Sequence, residues 1–235
     1  MTMFALLTQF DEKYLPLADL TWYENKIPYA EKYGYRTFFI NALENAWDKI
    51  KSCKELFENY PEIEWIWFTG CDTLITNMGI RIEDKIDNNY HFIIAVDHAG
   101  INSDSFLVRN SPEGIALLDD VESLEQEYIK YWDSEQRALA HTLGLPGTET
   151  WHDPELWPAP GPISLSGKHK NNVLIVPQRY MNSYNRSLYK TKLNDIDKLG
   201  YNGEWQQGDW LVHWPALSIE ERISAYYDIK DKIII

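Results

Sequence analysis

Glu64-Trp65-Ile66-Trp67-Phe68-Thr69-Gly70-Cys71-Asp72-Thr73-Leu74-Ile75-Thr76-Asn77 is the stretch on which the fold turns. It opens as a run of aromatic and β-branched residues, the composition of a buried strand, and passes into a small polar turn. Gly70 lets the backbone bend, so Asp72 falls just past the carboxyl end of the strand. In open α/β sheets that is the edge where ligands bind. A solitary aspartate after a strand is most simply a turn or cap residue. Asp72 is singled out by its company further along the chain, above all His213.

Elements on either side of this stretch set the fold class. Met3-Phe4-Ala5-Leu6-Leu7-Thr8 reads as a first strand, with Thr8-Gln9-Phe10 as the loop at its carboxyl end. Ile27, Ala30 and Tyr33 keep helical spacing over 25–33, and Gly34 stops that helix. Arg36-Thr37-Phe38-Phe39-Ile40 is a second strand. Ala46, Ile50, Cys53 and Phe57 form one face of a helix from about Glu44 to Asn59, with Pro61 beyond its end. The β-α-β-α-β order predicts a mainly parallel, right-handed, Rossmann-like α/β sheet flanked by helices.

The second half continues with a buried strand over 91–96 and a shorter one over 105–109. Ser111 caps a helix beginning at Pro112, and another helix covers about 134–143. The stretch 144–172 is rich in Pro, Gly and Trp; with Trp151, Trp157 and neighbouring Trp132 it reads as a packed loop or one that covers a ligand. Val173-Leu174-Ile175-Val176 is a strand. Gly208-Asp209-Trp210-Leu211-Val212-His213-Trp214 is the last strand, delivering His213 at its end. Ser218-Ile219-Glu220-Glu221 is a capping box that opens a terminal helix.

Composition excludes several classes. The chain has 235 residues and a formal net charge of −14, which disfavours a nucleic-acid partner. Its two cysteines suggest neither a disulfide framework nor a zinc site. No long apolar run, transmembrane segment or signal peptide is evident, so a soluble, cytoplasmic protein of one domain is expected. Ten Trp and fifteen Tyr supply either core packing or faces for stacking bases and sugar rings.

Six segments in order resemble glycosyltransferase family 34, a galactosyl-, xylosyl- and mannosyltransferase group with a GT-A fold. They are Asn25-Lys26-Ile27-Pro28-Tyr29-Ala30 with Tyr33-Gly34-Tyr35; Trp47-Asp48-Lys49-Ile50 with Tyr60-Pro61 and Glu64-Trp65-Ile66-Trp67; Asn102-Ser103-Asp104-Ser105-Phe106-Leu107-Val108-Arg109-Asn110; Glu135-Gln136-Arg137-Ala138-Leu139; Asn182-Ser183-Tyr184; and 208–214. The chain also departs from the pattern. The family's Asp-x-Asp is Gly70-Cys71-Asp72, the glycine of its "NxG" is Asp104, and Pro215-Ala216-Leu217 replaces the usual Gly-Cys-Lys. The family's membrane anchor and stem are not seen, which points to a bacterial or viral version.

The resemblance implies transfer of a hexose or pentose from a UDP- or GDP-sugar to a glycan acceptor hydroxyl, with retention of configuration. It implies a nucleotide-binding part over about 1–100 and an acceptor-side part over about 101–235. Mn²⁺ or Mg²⁺ would act as Lewis acid on the leaving diphosphate, with Asp72 and His213 as ligands. Both are expected at solvent-reached strand ends. Asp104 or Asp209 would compensate for the missing carboxylate, and Gly70→Asp would lower the metal requirement. Thr8, Gln9 and Tyr29 fall where the family's nucleotide lies, and Asn102, Ser103 and Asp104 at the donor sugar. Glu135 and Gln136 would steady the oxocarbenium-like centre. Arg179, Arg186 and Lys190 form a basic cluster, read as solvated surface or as a diphosphate contact. Each assignment has a plainer structural reading: a turn cap for Asp72, a carbonyl partner for His213, helix packing for Tyr29, an internal backbone bond for Asn102. Two rival classes follow. The missing carboxylate suggests a degenerate protein that binds nucleotide-sugar or glycan without transfer; a glycoside hydrolase lacks a convincing pair of carboxylates.

Overall fold

The computed structural model describes residues 3–41, 46–147, 160–189 and 196–235. Strand β1 (Met3–Phe10) takes in Thr8-Gln9-Phe10, expected as a loop, and leads to α1 (Leu15–Ala18), a π-helical stretch (Asp19–Lys26) and α2 (Ile27–Tyr33). Pro28, near the start of α2, has no N–H to donate, and the Ile27 N–H bonds Trp22 O in the wider π register. Gly34 ends α2 in the left-handed region (φ 73°). The chain goes on through β2 (Arg36–Asn41), α3 (Asp48–Asn59), β3 (Ile63–Thr69) and β4 (Thr73–Ile75). Strands β5 (Phe92–Val96) and β6 (Ile101–Arg109) precede helices α4 (Pro112–Ser123), α5 (Glu125–Tyr128) and α6 (Ser134–Thr142). Last come β7 (Val173–Val176), α7 (Gln178–Met181), β8 (Ser183–Tyr184), β9 (Leu211–His213) and α8 (Ile219–Ile229).

Among the described residues six strands form the central sheet in the order β2-β1-β3-β6-β5-β7. The parallel pairs are β1 with β2, β1 with β3, and β5 with β7; β6 alone runs against its neighbours β3 and β5. The expected parallel β-α-β-α-β start is therefore present, and strands from before and after residue 100 share one sheet. Period-2 alternation divides the core. Ala5, Leu7, Ile66 and Phe68 face one layer with Trp47, Ile50 and Phe57 of the α3 side. Phe4, Leu6, Trp65 and Trp67 face the other with Tyr29, Ala30 and Trp210. Helices cover both faces, so β1 and β3 read as nearly unbroken apolar runs instead of alternating ones.

β6 begins four residues earlier than its apolar composition indicates, because Asn102, Ser103 and Asp104 are strand despite their polarity. Its antiparallel direction sets this polar start beside the carboxyl end of β3: Thr69 pairs with Ser105, and the Gly70 N–H donates to Asp104 O at 2.8 Å. A second sheet, β4-β9-β8, brings the end of the chain to the same place. There β9 runs against β4 with Thr73 opposite His213, and the Trp214 N–H donates to Asp72 O at 3.0 Å. The predicted Ser218 capping box is present at the start of α8.

Glu44, the expected start of α3, lies outside the described residues, as do Trp151, Trp157 and Lys190 and the side chain of Arg186. Trp132 is not packed; it is 84% exposed. No helix among the described residues is long and apolar enough to cross a membrane.

Candidate functional site

Three turns of chain meet over the carboxyl end of β3. The turn after β3 carries Asp72, the start of β6 carries Asp104, and the end of β9 carries His213. Nε2 of His213 lies 3.4 Å from Asp72 Oδ1 and 3.8 Å from Asp104 Oδ2. It is aligned with neither for a hydrogen bond and has no other partner. On the far side of the ring Nδ1 meets Asn182 Oδ1 at 2.7 Å. A carbonyl oxygen there accepts the Nδ1 proton, so the neutral form of the ring turns its Nε2 lone pair toward the two carboxylates, and the protonated form turns an N–H toward them. His213 is fully buried, not at a solvent-reached strand end as expected from the sequence. The second sheet and α8 close over it, and Tyr184 stands edge-on to the ring.

Each carboxylate is held by a buried cation on its other oxygen. Arg222 from α8 reaches Asp72 Oδ2 at 2.8 Å and donates through Nε to Trp214 O at 2.9 Å. Burial alone would raise the Asp72 carboxyl pKa, but His213 in its protonated form and Arg222 together hold it well below the usual carboxylate range. Lys49 from α3 contacts Asp104 Oδ1 at 3.1 Å and Glu135 Oε1 at 2.9 Å. Burial works against its charge, yet the two acids keep its ammonium pKa above the ordinary value. Below them Lys26 is buried and bonds Gly70 O at 3.1 Å and Thr73 O at 2.6 Å. Burial brings its pKa down to about 8. The Asp72 turn is thus held by charge-assisted bonds from two elements distant in sequence.

A cleft of about 260 Å³ opens beside these groups. Asp11, Asp72 and Asp104 line it with Phe68 and Gly70, and Lys49 is the one cation among the described residues that line it. An anionic ligand entering this cleft meets three carboxylates and a lysine already engaged by two acids.

The other expected site residues fall at three depths. Gln9 lines the cleft. Thr8 is buried and its hydroxyl donates to Thr69 O at 2.8 Å, tying β1 to β3. Tyr29 lies in the core layer with Trp67 and donates to Ile80 O at 2.9 Å. Asn102 donates to Asp97 Oδ2 at 3.3 Å and to Tyr184 Oη at 3.0 Å. Ser103 joins β6 to α6: its hydroxyl donates to Glu135 Oε1 at 2.8 Å, and its N–H to Gln136 Oε1 at 2.9 Å. Burial would raise the Glu135 carboxyl pKa, but Lys49 and Ser103 keep it lowered. Arg179 is committed to Asp209 through two bonds of 3.0 and 2.7 Å.

Sequence reading gave no role to Lys49, Arg222 and Lys26, yet the signal was present. Lys49 sits among Ile50, Cys53 and Phe57 on the apolar stripe of α3, and Arg222 among Ala225 and Ile229 on that of α8. A charge on the buried stripe of an amphipathic helix requires a buried partner.

Among the described residues no three His, Cys, Asp or Glu side chains already stand as a metal cluster. The donor types nevertheless suit a divalent cation: two carboxylate oxygens stand 3.4 and 3.8 Å from an imidazole nitrogen, oxygens being ligands for Mn²⁺ or Mg²⁺ and imidazole one for Mn²⁺.

The model of the galactosyl transferase GMA12/MNN10 family matches residues 7–90 and 86–219. An uncharacterized alpha-1,2-galactosyltransferase of Schizosaccharomyces pombe is 30% identical over 164 residues, 51% of this chain and 44% of that one. A probable alpha-1,2-galactosyltransferase of the same yeast, gmh1, is 24% identical over 90% of this chain and 67% of its own length. The chain thus spans less than half the length of the first and about two thirds of the second. Among solved structures, a glycosyltransferase involved in the glycosylation of the major capsid of PBCV-1 superposes with a TM-score of 0.65 at 14% identity, covering 96% of this chain and 99% of that one. At that identity the likeness is one of fold, and the fold is the GT-A glycosyltransferase fold.

Proposed function

Because the chain belongs to the galactosyl transferase GMA12/MNN10 family, we propose that it moves a hexose or pentose from a UDP- or GDP-sugar to a hydroxyl of a glycan acceptor, with retention and with a divalent cation. The observation that carries the reading is the convergence of Asp72 and His213, from opposite ends of the chain, on one point beside the cleft.

In this reading Asp72 and His213 would hold Mn²⁺ or Mg²⁺, which would supply positive charge toward the leaving diphosphate. Asn182 keeps the His213 proton on Nδ1, so the coordinating nitrogen is ready without a proton shift. Arg222 fixes the Asp72 carboxylate as the charged form. Gln9 meets the donor at the cleft, while Thr8 and Tyr29 support that wall from within. Asn102, Ser103 and Asp104 on β6 face the sugar side. Glu135 and Gln136, braced through Ser103, supply negative potential near the anomeric carbon. The assignment of about 1–100 to the nucleotide and 101–235 to the acceptor, and a cytoplasmic place of action, belong to the same proposal.

The test is incubation of the chain with UDP-galactose, UDP-xylose or GDP-mannose, a manno-oligosaccharide or cello-oligosaccharide acceptor and Mn²⁺. The expected result is nucleoside diphosphate release that matches extended glycan with a retained linkage. Gly70 in place of the first carboxylate favours a second reading, a binder without transfer. Donor binding with no glycan product for any pair would select it.

A further inference from the structure

On the reading that the cleft receives a nucleotide-diphospho-sugar together with a divalent cation, we propose that Asp104 is the second carboxylate ligand, delivered from β6 in place of one at position 70. Position 70 itself carries no side chain, and one added there would meet both acids. A Cβ built on Gly70 would stand 2.8 Å from Asp72 Oδ1 and 3.5 Å from the Asp104 Cβ. The space a side chain would fill is already taken by the Asp72 carboxylate on one side and bounded by Asp104 on the other. The Gly70 N–H bond to Asp104 O fixes the two backbones together at this point.

Three donors then converge from three elements. His213 Nε2 is buried, lacks a hydrogen-bond partner and faces Asp72 Oδ1 at 3.4 Å and Asp104 Oδ2 at 3.8 Å. Neighbouring ligands of an octahedral ion bound at roughly 2.0–2.2 Å stand roughly 2.8–3.1 Å apart, so on binding the two oxygens would draw in toward Nε2 by several tenths of an ångström. Each acid has its second oxygen on a cation, Asp72 on Arg222 and Asp104 on Lys49, so the oxygen toward His213 is the one left to bind. The three do not yet close as a cage, because Lys49 draws Asp104 aside; its side chain is 38% exposed and has room to turn. Asp209, the other acid considered from the sequence, is committed elsewhere. Arg179 takes both its oxygens, and the Ser183 hydroxyl and the Gln206 N–H donate to Oδ2 as well. The cleft supplies an independent reason: a diphosphate cannot approach Asp11, Asp72 and Asp104 unless a cation lies between.

The experiment is a titration of the whole chain with Mn²⁺, following free Mn²⁺ by electron paramagnetic resonance, alone and with UDP or GDP. Asp104→Asn keeps an oxygen for Lys49 while removing the charge. Its Mn²⁺ affinity should fall at least tenfold, with a thermal midpoint close to that of the parent. Asp119→Asn, which removes a surface acid paired with Lys54, should leave Mn²⁺ affinity unchanged. Gly70→Asp should weaken binding, because the new Cβ displaces Asp72. Parental Mn²⁺ affinity in Asp104→Asn, or tighter binding in Gly70→Asp, would overturn the assignment. Failure of the transferase reading is seen separately: Asp104-dependent Mn²⁺ binding without turnover of any nucleotide-sugar keeps this inference and removes that one. Transfer that persists in chelator without Mn²⁺ binding does the reverse.

Discussion

At the scale of single residues, the pair Asp72–Arg222 joins stability to the site. Arg222→Met leaves the Asp72 carboxylate buried beside His213 without its cation. Breaking a buried pair from one side costs about 3–5 kcal/mol, so urea unfolding should show a loss of that order. The double variant Asp72→Asn/Arg222→Met should recover a large part of it, and a double-mutant cycle measures the coupling. His213→Ala and Asp72→Ala should each abolish metal-stimulated transfer, read as product formed against Mn²⁺ concentration. His213→Ala should also destabilise the chain by about 1–3 kcal/mol, since the buried Asn182 loses its partner. Full activity in both alanine variants would make these residues purely structural. That Asp72 and His213 come together, 3.4 Å apart, was expected from the family resemblance of their segments. Their ionic partners were not, because a buried ion pair joins residues whose separation along the chain carries no periodic signal.

At the scale of elements, the π-helical stretch and α8 hold the site from two sides. Lys26 ends the π-helical stretch and spans two carbonyls of the Asp72 turn. Its pKa is lowered to about 8 by burial, whereas the unfolded chain keeps the ordinary value near 10.5. Between those pH values the unfolded state holds a proton that the folded state has released, so stability rises with pH across that window. Below about pH 8 both states are protonated and the whole cost of burying the charge is present. Unfolding free energies of the parent minus Lys26→Met, measured from pH 7.5 to 10.5, should therefore rise by up to about 3 kcal/mol. A flat difference would mean that Lys26 titrates normally. For α8, Ser218→Ala removes a cap in which the Ser218 hydroxyl accepts the Glu221 N–H at 3.2 Å. It should cost about 1 kcal/mol in urea unfolding, with little effect on transfer. The capping box was readable in sequence because its chemistry is local. The polar first residues of β6 were not, because their strand state depends on tertiary neighbours: Ile101 pairs with Val96 of β5, and Asp104 O accepts the Gly70 N–H.

At the scale of the whole molecule, two sheets and a terminal helix meet at one cleft, so a bound ligand should stabilise the chain as a unit. With donor nucleotide at about one hundred times its dissociation constant, linkage gives about 2.7 kcal/mol. The thermal midpoint should rise with UDP or GDP plus Mn²⁺, and less with either alone; equal midpoints in all four conditions would remove the cation-linked donor site. The sequence by itself determined the α/β class, the parallel start of the sheet, the starts of α4, α6 and α8, and the family. These rest on period-2 and period-3.6 patterning, caps and motif order, all of which act over a few residues. Only the tertiary structure decided that β6 runs antiparallel and lays Asp104 against Gly70, that His213 is buried, and that Lys49 and Arg222 hold the two acids. Those facts depend on which strands become neighbours and on how charge is compensated once water is excluded. Both are properties of packing, and local sequence does not encode them.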